Sequence, residues 1–305
     1  MSGETVLGIG LALVAACSWG LASLLYRVGL KTHDYLLGTL IRISVAIPLL
    51  LAVTFLFSDY QGTIDNLTFE LWLILLVSAI LLSVGDLLYM AGLEITPLSR
   101  AVPLSATYPI FSTTFAIILL AEQPSVLTIL GTFVVVVGVS FVVKKEVASS
   151  NEPVVSSNRP FLGETLVLLA AVSWGLAVIL TGVILQESGV EVFPIVSIRL
   201  LILLGIVVFL SLFQNRDRLA IPSKDTLLER GTLLLCLGGI LGFTIGTPAL
   251  FISLELIGAS QTVPLTSIYP MISAMLGVMF LKEKVRGEQL IGIILIVGGC
   301  ILVIL

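Results

Sequence analysis

The sequence predicts an all-α membrane protein of ten transmembrane helices, arranged as two inverted five-helix repeats. Three observations carry this expectation. First, the 305 residues are 58% hydrophobic and 11% charged, with a mean hydropathy of +1.18, whereas an ordinary soluble domain is roughly 25% charged. Second, ten apolar stretches are each long enough to cross ~30 Å of hydrocarbon. Third, a set of distinctive residues recurs in the same order in both halves of the chain. A soluble core could not hide this much apolar surface, but a bilayer can.

Span 1 covers residues 5–26. The segment before it, Met1 to Thr5, has no basic residue, and the apolar run is too long for a signal-peptide core, so it reads as a membrane span. Spans 2 to 5 follow at 35–57, 71–93, 98–121 and 124–143. The segment Lys144 to Pro160, KKEVASSNEPVVSSNRP, is polar and rich in serine and proline, as linkers are. Spans 6 to 10 lie at 161–185, 192–213, 232–254, 260–281 and 287–305. The chain therefore divides into a first repeat, 1–143, a linker, 144–160, and a second repeat, 161–305.

The repeat is visible in individual residues. Ser18-Trp19-Gly20-Leu21-Ala22 in span 1 returns as Ser173-Trp174-Gly175-Leu176-Ala177 in span 6, and Arg42 in span 2 answers Arg199 in span 7. At a constant offset of 161, Gly85, Leu93, Glu94, Ser99, Val102, Pro103, Leu104, Tyr108 and Pro109 recur as Gly246, Leu254, Glu255, Ser260, Val263, Pro264, Leu265, Tyr269 and Pro270. Glu122 and Glu283 keep that offset. Leucine enrichment cannot produce Trp-Gly, Pro-Leu and Tyr-Pro in one order twice, so the halves arose by duplication. An odd number of spans per half makes the second half enter the membrane from the opposite side. Inverted repeats of this kind are typical of alternating-access transporters, whose substrate sites lie near the midplane between repeats.

Charge sets an expected orientation. Two of the 15 Lys and Arg residues, Arg42 and Arg199, lie deep within spans, and the other 13 sit in odd-numbered connections or, for Arg100 after span 3, at the very start of the next span. The positive-inside rule then puts those connections in the cytoplasm of a multi-pass cell-membrane protein and both termini outside. The net charge of −4, with no basic run, gives no footprint for nucleic acid. Cys17, Cys236 and Cys300 lie in apolar stretches without metal-site spacing, and they read as small packed residues. The only histidine, His33, falls in a short connection and reads as solvated. Nothing in the pattern requires a cofactor or a metal.

The Trp-Gly pairs at 19–20 and 174–175, the arginines early in spans 2 and 7, the Pro-Leu…Tyr-Pro blocks at 103–109 and 264–270, and the glutamates Glu122 and Glu283 together resemble the drug/metabolite transporter superfamily, specifically its EamA-type ten-helix members. The resemblance covers nearly the whole chain. It implies a basket-like bundle that exports or exchanges small metabolites such as amino acids, often coupled to protons. The chain departs from the family in one respect. Members usually look as though their termini are cytoplasmic, with basic residues after span 2, whereas the connection Ser58 to Glu70 here holds acids and no base.

The candidate substrate-binding residues are Trp19, Arg42, Asp86, Tyr89, Ser105, Tyr108, Trp174, Arg199, Thr266 and Tyr269. An ionised carboxylate at helix depth costs at least ~2.5–3.5 kcal/mol, which singles out Asp86. Arg42 and Asp86 both lie about 10 Å from the same side of antiparallel spans, close enough to pair. Such a pair either fixes helix register or makes Asp86 a proton-coupling carboxylate whose protonation depends on whether Arg42 is engaged. The second half replaces Asp86 with Thr247, so Arg199 lacks the matching acid. Arg199 is then free for a substrate carboxylate or phosphate, unless it caps carbonyls or snorkels to the interface.

Trp19 and Trp174, mid-span beside glycines, read as helix-packing residues or cavity walls. Pro103, Pro109, Pro264 and Pro270 are expected to kink spans 4 and 9 around Tyr108 and Tyr269. Ser105, Thr107, Thr266 and Ser267 either bond between helices or face a pathway. Glu94, Glu255, Glu122 and Glu283 read as interfacial. The glycines of spans 5 and 10, among them Gly131, Gly138, Gly292, Gly298 and Gly299, suit helix packing or a homodimer through those spans.

Other function classes fit less well. A membrane-embedded enzyme would need a cluster of nucleophile, base or metal ligands, and no His-Glu-x-x-His or Gly-x-Ser-x-Gly motif occurs. A channel would show polar stripes on several helices. A non-transporting scaffold would leave Arg42, Asp86 and Arg199 as an unexplained cost. The expected partners are a small-molecule substrate and the lipid bilayer.

Overall fold

The structure is a computed structural model. It describes residues 2–30, 32–33, 35–95, 104–143, 161–187, 189–214, 229–269, 271–272, 275–276 and 287–305. Pro103, Pro270, Glu283, the linker 144–160 and the side chain of Glu94 lie outside the described residues.

The described residues are helical, with no strand among them. Helix α1 (Gly3–Gly29) starts where the Ser2 side chain accepts a hydrogen bond from the Thr5 N–H. Helix α2 (Tyr35–Phe57) carries Pro48 inside it. A short helix, α3 (Tyr60–Asn66), lies in the connection before α4 (Phe69–Ile95). It was not expected from the sequence. Asp59 caps it by accepting the Gly62 N–H at 2.9 Å. Helices α5 (Tyr108–Leu119) and α6 (Val126–Val143) complete the first half, and α7 (Leu162–Leu185) and α8 (Val192–Gln214) open the second. Residues 230–257 run on as α9 (Arg230–Gly239), a π-helical turn π1 (Ile240–Gly246) and α10 (Thr247–Ile257). Helices α11 (Ala259–Thr266) and α12 (Gly287–Ile304) follow.

Six helical segments among the described residues are long and apolar enough to cross a membrane, and they coincide with expected spans 1, 2, 3, 6, 7 and 8. Shorter apolar helices occupy spans 4, 5 and 10. Large side chains that a soluble protein would bury face outward, among them Phe55, Phe57, Ile118, Phe213 and Ile294. A hydrocarbon surrounding solvates such a surface, and the chain is a multi-pass membrane protein.

The expected proline kinks are sharper than a kink. In span 4 the chain makes a turn at Ala106–Thr107, and α5 begins at Tyr108 with Pro109 in its first turn. There the missing N–H of proline costs nothing. In span 9, α11 tolerates Pro264 but stops at Thr266. Gly258, with φ +78°, turns α10 into α11, and Glu122 receives the freed N–H groups of Ala259 and Ser260 at 2.6 and 2.8 Å. Glu122 is therefore a helix cap rather than a loose interfacial acid. Glu255 is exposed at its helix end, as expected.

His33 also departs from expectation. It is 9% exposed, donating Nδ1–H to the Thr32 carbonyl and meeting Thr232 Oγ1 through Nε2 at 2.8 Å. It ties the first connection to the start of α9 rather than standing in solvent.

Helices pair across the two halves: α1 packs along α9, π1 and α10, α4 packs on α7 and α8, and α2 packs on α8. Helices α6 and α12 lie against each other through glycines. A Cβ on Gly131 would sit 2.6 Å from the Gly299 carbonyl, and one on Gly138 would sit 2.8 Å from the Gly292 carbonyl. These glycines are used within one chain, so they lend no support to a homodimer through spans 5 and 10.

Neighbouring glycines of α12 should respond oppositely to one added methyl. Gly299→Ala drives a Cβ to 2.8 Å from Gly131 O and Val135 N, while Gly298 has nothing within 4 Å. We expect Gly299→Ala to destabilise by ~1–3 kcal/mol. Gly298→Ala should be neutral or stabilising by up to ~1 kcal/mol. Thermal unfolding of both variants in the same detergent checks this.

Candidate functional site

A cavity of about 200 Å³ lies where the helices of both halves meet. Eight of the ten candidate residues line it: Trp19, Arg42, Asp86, Tyr89, Tyr108, Trp174, Arg199 and Tyr269. The other two, Ser105 and Thr266, stand behind the tyrosines as hydrogen-bond partners.

The two arginines enter the cavity from equivalent places. Arg42 lies seven residues beyond Tyr35, the first residue of α2, and Arg199 lies seven beyond Val192, the first of α8. That is ~10 Å along each helix. Both are buried, at 3% and 2% exposure. Their surroundings differ. Arg42 donates through Nη2 to Asp86 Oδ2 at 2.9 Å and to Thr39 Oγ1 at 3.0 Å. Its guanidinium also lies 4.5 Å from the Tyr26 ring centroid and 5.5 Å from that of Phe243. Charge, hydrogen bond and ring faces together replace the water it lost. Arg199 has only an aromatic neighbour of this kind, Phe251 at 5.1 Å. Among the described residues no carboxylate reaches it; Nε meets no acceptor in either arginine, so the carboxylate is what separates the two.

Glycines seat the aromatic walls. Gly238, Gly242 and Gly246 recur every fourth residue along α9 and π1, which opens a groove toward α1. Tyr26 fills it at Gly238, where a Cβ would lie 2.5 Å from the ring, and the Tyr26 hydroxyl donates to the Gly238 carbonyl at 2.8 Å. Trp19 fills it at Gly246, where a Cβ would lie 2.8 Å from Nε1. Trp174 sits in the same way against Gly85, at 2.6 Å. Gly85 and Gly246 are repeat equivalents, so each tryptophan of one half rests on the matching glycine of the other.

The π-helical turn is part of the site. Pro248 has no N–H for the preceding turn, and its ring crowds the carbonyl four residues back. A wider i→i+5 turn relieves this and aims the Gly242 carbonyl at new donors. That carbonyl accepts the Thr247 N–H, the Thr247 hydroxyl at 3.1 Å and Trp19 Nε1 at 3.1 Å.

Two tyrosines cross between the halves. The Tyr108 hydroxyl meets Thr266 Oγ1 at 2.7 Å, and the Tyr269 hydroxyl meets Ser105 Oγ at 3.2 Å. Tyr108 corresponds to Tyr269 and Ser105 to Thr266 at the offset of 161, so the two contacts are reciprocal. Tyr269 stands edge-on to Trp19, with ring centroids 6.4 Å apart, and Tyr89 packs on Trp174 at 5.0 Å.

Sequence reasoning missed Tyr26, Phe243 and Phe251. Tyr26 was within reach, because it lies two helical turns after Trp19 on the same face of α1. Phe243 and Phe251 are ordinary apolar residues in sequence, and only the π-turn and the helix packing bring them to the arginines. Among the described residues no three His, Cys, Asp or Glu side chains gather as a metal site would require.

Removing one partner of a buried ion pair strands the other. Arg42→Gln or Asp86→Asn alone should therefore cost ~3–5 kcal/mol of stability, and the double variant less than either. Thermal unfolding of the three variants in one detergent measures the coupling. Additive losses would show that the 2.9 Å contact contributes nothing.

An uncharacterized transporter of Archaeoglobus fulgidus is 26% identical over 301 residues, covering 98% of this chain and 99% of its own. A crystal structure of a protein 15% identical in sequence superposes with a TM-score of 0.76, over 99% of this chain and 96% of that one, and so shares the fold. The EamA-like transporter family model matches twice, at residues 6–144 and 161–305. With both matches together spanning nearly the whole chain, the protein belongs to the EamA-like transporter family.

Proposed function

We propose that this protein is a secondary active transporter that exports or exchanges small metabolites by alternating access. In this reading it has ten transmembrane helices in two inverted five-helix repeats, 1–143 and 161–305, with the central cavity as the substrate site. The observation that carries the reading is the cavity itself, whose walls come in matched pairs from both halves: Trp19 and Trp174, Arg42 and Arg199, Tyr108 and Tyr269. A site at a repeat interface is where rocking of one repeat against the other changes access.

The Tyr108–Thr266 and Tyr269–Ser105 contacts are the latches of that motion. They join broken helices of opposite halves, and hydrogen bonds between hydroxyls are weak enough, at ~0.5–1.5 kcal/mol net, to exchange during transport. Asp86 is the proton-coupling group. Protonating it removes the charge that holds Arg42, so proton uptake and rearrangement of α2 against α4 are one event. The odd-numbered connections face the cytoplasm, following the 13 basic residues, and both termini face outward.

Three measurements test this. Proteoliposomes should take up members of a metabolite panel, with accumulation raised by a pH gradient. Asp86→Asn should keep exchange but lose the response to the gradient, and an undiminished response would remove Asp86 from coupling. A C-terminal alkaline phosphatase fusion should be active and a green fluorescent protein fusion dark in bacterial cells, whereas the opposite pattern would reverse the orientation.

A further inference from the structure

The charge on the cavity walls does not balance. Asp86 neutralises Arg42 at 2.9 Å. Arg199 lines the same cavity, is 2% exposed, and has no carboxylate partner among the described residues; its Nε, like that of Arg42, has no acceptor. The position that supplies the acid in the first half holds Thr247 here, and its hydroxyl donates to the Gly242 carbonyl at 3.1 Å. Thr247 is uncharged, so it cannot offset the guanidinium. Among the described residues, one positive charge therefore stands uncompensated beside the cavity, where removal from water is expensive.

From this surplus of one charge we infer that the substrate is a small organic monoanion, a carboxylate bound by Arg199 and attached to an apolar or aromatic body. The inference rests on the central cavity being the transport site. A monocarboxylate brings the wall charge to zero and offers two oxygens to the guanidinium fork. A phosphate dianion overshoots, because the second arginine is already engaged by Asp86. An amino-acid zwitterion, the class that the family resemblance suggested, leaves the surplus in place. The rest of the wall fixes the body of the ligand. Trp19, Trp174, Tyr89, Tyr108 and Phe251 line the cavity as an aromatic wall suited to a flat or branched apolar group.

The test separates binding from flux. Wild-type protein in detergent is titrated with benzoate, benzamide, benzylamine, phenylalanine and phenyl phosphate, reading tryptophan fluorescence and thermal shift. Benzoate should bind saturably and raise the unfolding temperature, with the other four at least about tenfold weaker. Arg199→Gln should lose about tenfold or more for benzoate, while Arg199→Lys keeps part of the affinity. Ligand-free Arg199→Gln should be no less heat-stable than wild type, since it removes an unpaired buried charge. Binding of benzamide or phenylalanine as tight as benzoate overturns the inference, and the wild-type series alone decides this if the variant fails to fold. Retention of benzoate binding by folded Arg199→Gln within about threefold also overturns it. Metabolite flux without monoanion binding would sink the substrate assignment and leave transport standing. Saturable benzoate binding without flux of any tested metabolite would do the reverse.

Discussion

Two guanidinium groups at helix depth constrain everything around them. Arg42 and Arg199 cannot deprotonate, and neither reaches water directly at 3% and 2% exposure. Each must be solvated by protein or by a ligand. For Arg42 this requires α1, α2, α4 and π1 at one point, because Tyr26, Thr39, Asp86 and Phe243 come from four separate elements. The pairing of α1 with the α9–π1–α10 segment, and of α2 with α9 and π1, is the packing that brings those groups together. The ion pair is thus a reporter of the whole arrangement, and any motion that separates these helices must provide the guanidinium with other partners.

Close helix approach is the second condition. Trp19 and Trp174 fit within their helices' packing only because glycines of the opposite half leave room for them, Gly246 for Trp19 and Gly85 for Trp174. The Trp-Gly dipeptides work from the other side as well. A Cβ on Gly20 would lie 2.9 Å from the Tyr269 carbonyl, and one on Gly175 would lie 3.3 Å from the Tyr108 carbonyl. Each dipeptide therefore holds the tyrosine that crosses between halves on one side and presents a cavity wall on the other. Hydrophobic driving force is absent between helices in lipid, so such steric fits and the Tyr–Thr and Tyr–Ser contacts carry the specificity of assembly.

This division explains what was legible in the sequence. Long apolar runs gave the six continuous spans, because hydropathy over about 20 residues is a property of composition. Rare residues repeated in order, Trp-Gly, Arg and Tyr-Pro, pointed to six of the cavity residues, and the cost of a carboxylate at helix depth pointed to Asp86. Features that depend on three-dimensional contact were hidden. Spans 4 and 9 are as apolar as the others, so hydropathy does not reveal that the chain breaks at Ala106–Thr107 and after Thr266. His33 looked solvated because its partner, Thr232, lies 199 residues away in sequence. Glu122 looked interfacial because the N–H groups it caps, on Ala259 and Ser260, belong to the other half.

The same contrast bears on how duplicated halves come to differ in function. Symmetry places two arginines at equivalent depths and would naturally provide two acids, yet only Asp86 is present, with Thr247 at the matching position. Thr247 is not idle, since its hydroxyl, with Trp19, donates to the Gly242 carbonyl in addition to the backbone N–H of the π-turn. An acid at position 247 would give up that hydroxyl donor and would put a negative charge on the wall that Arg199 also lines. With threonine there, the protein supplies a carboxylate to one arginine and none, among the described residues, to the other. In the proposed reading, a cavity with one fixed and one vacant counter-charge responds to a proton at Asp86 and to an anion at Arg199 independently. Two symmetric pairs would offer neither, because both cations would already be satisfied and an anionic ligand would have to break a buried salt bridge in order to enter.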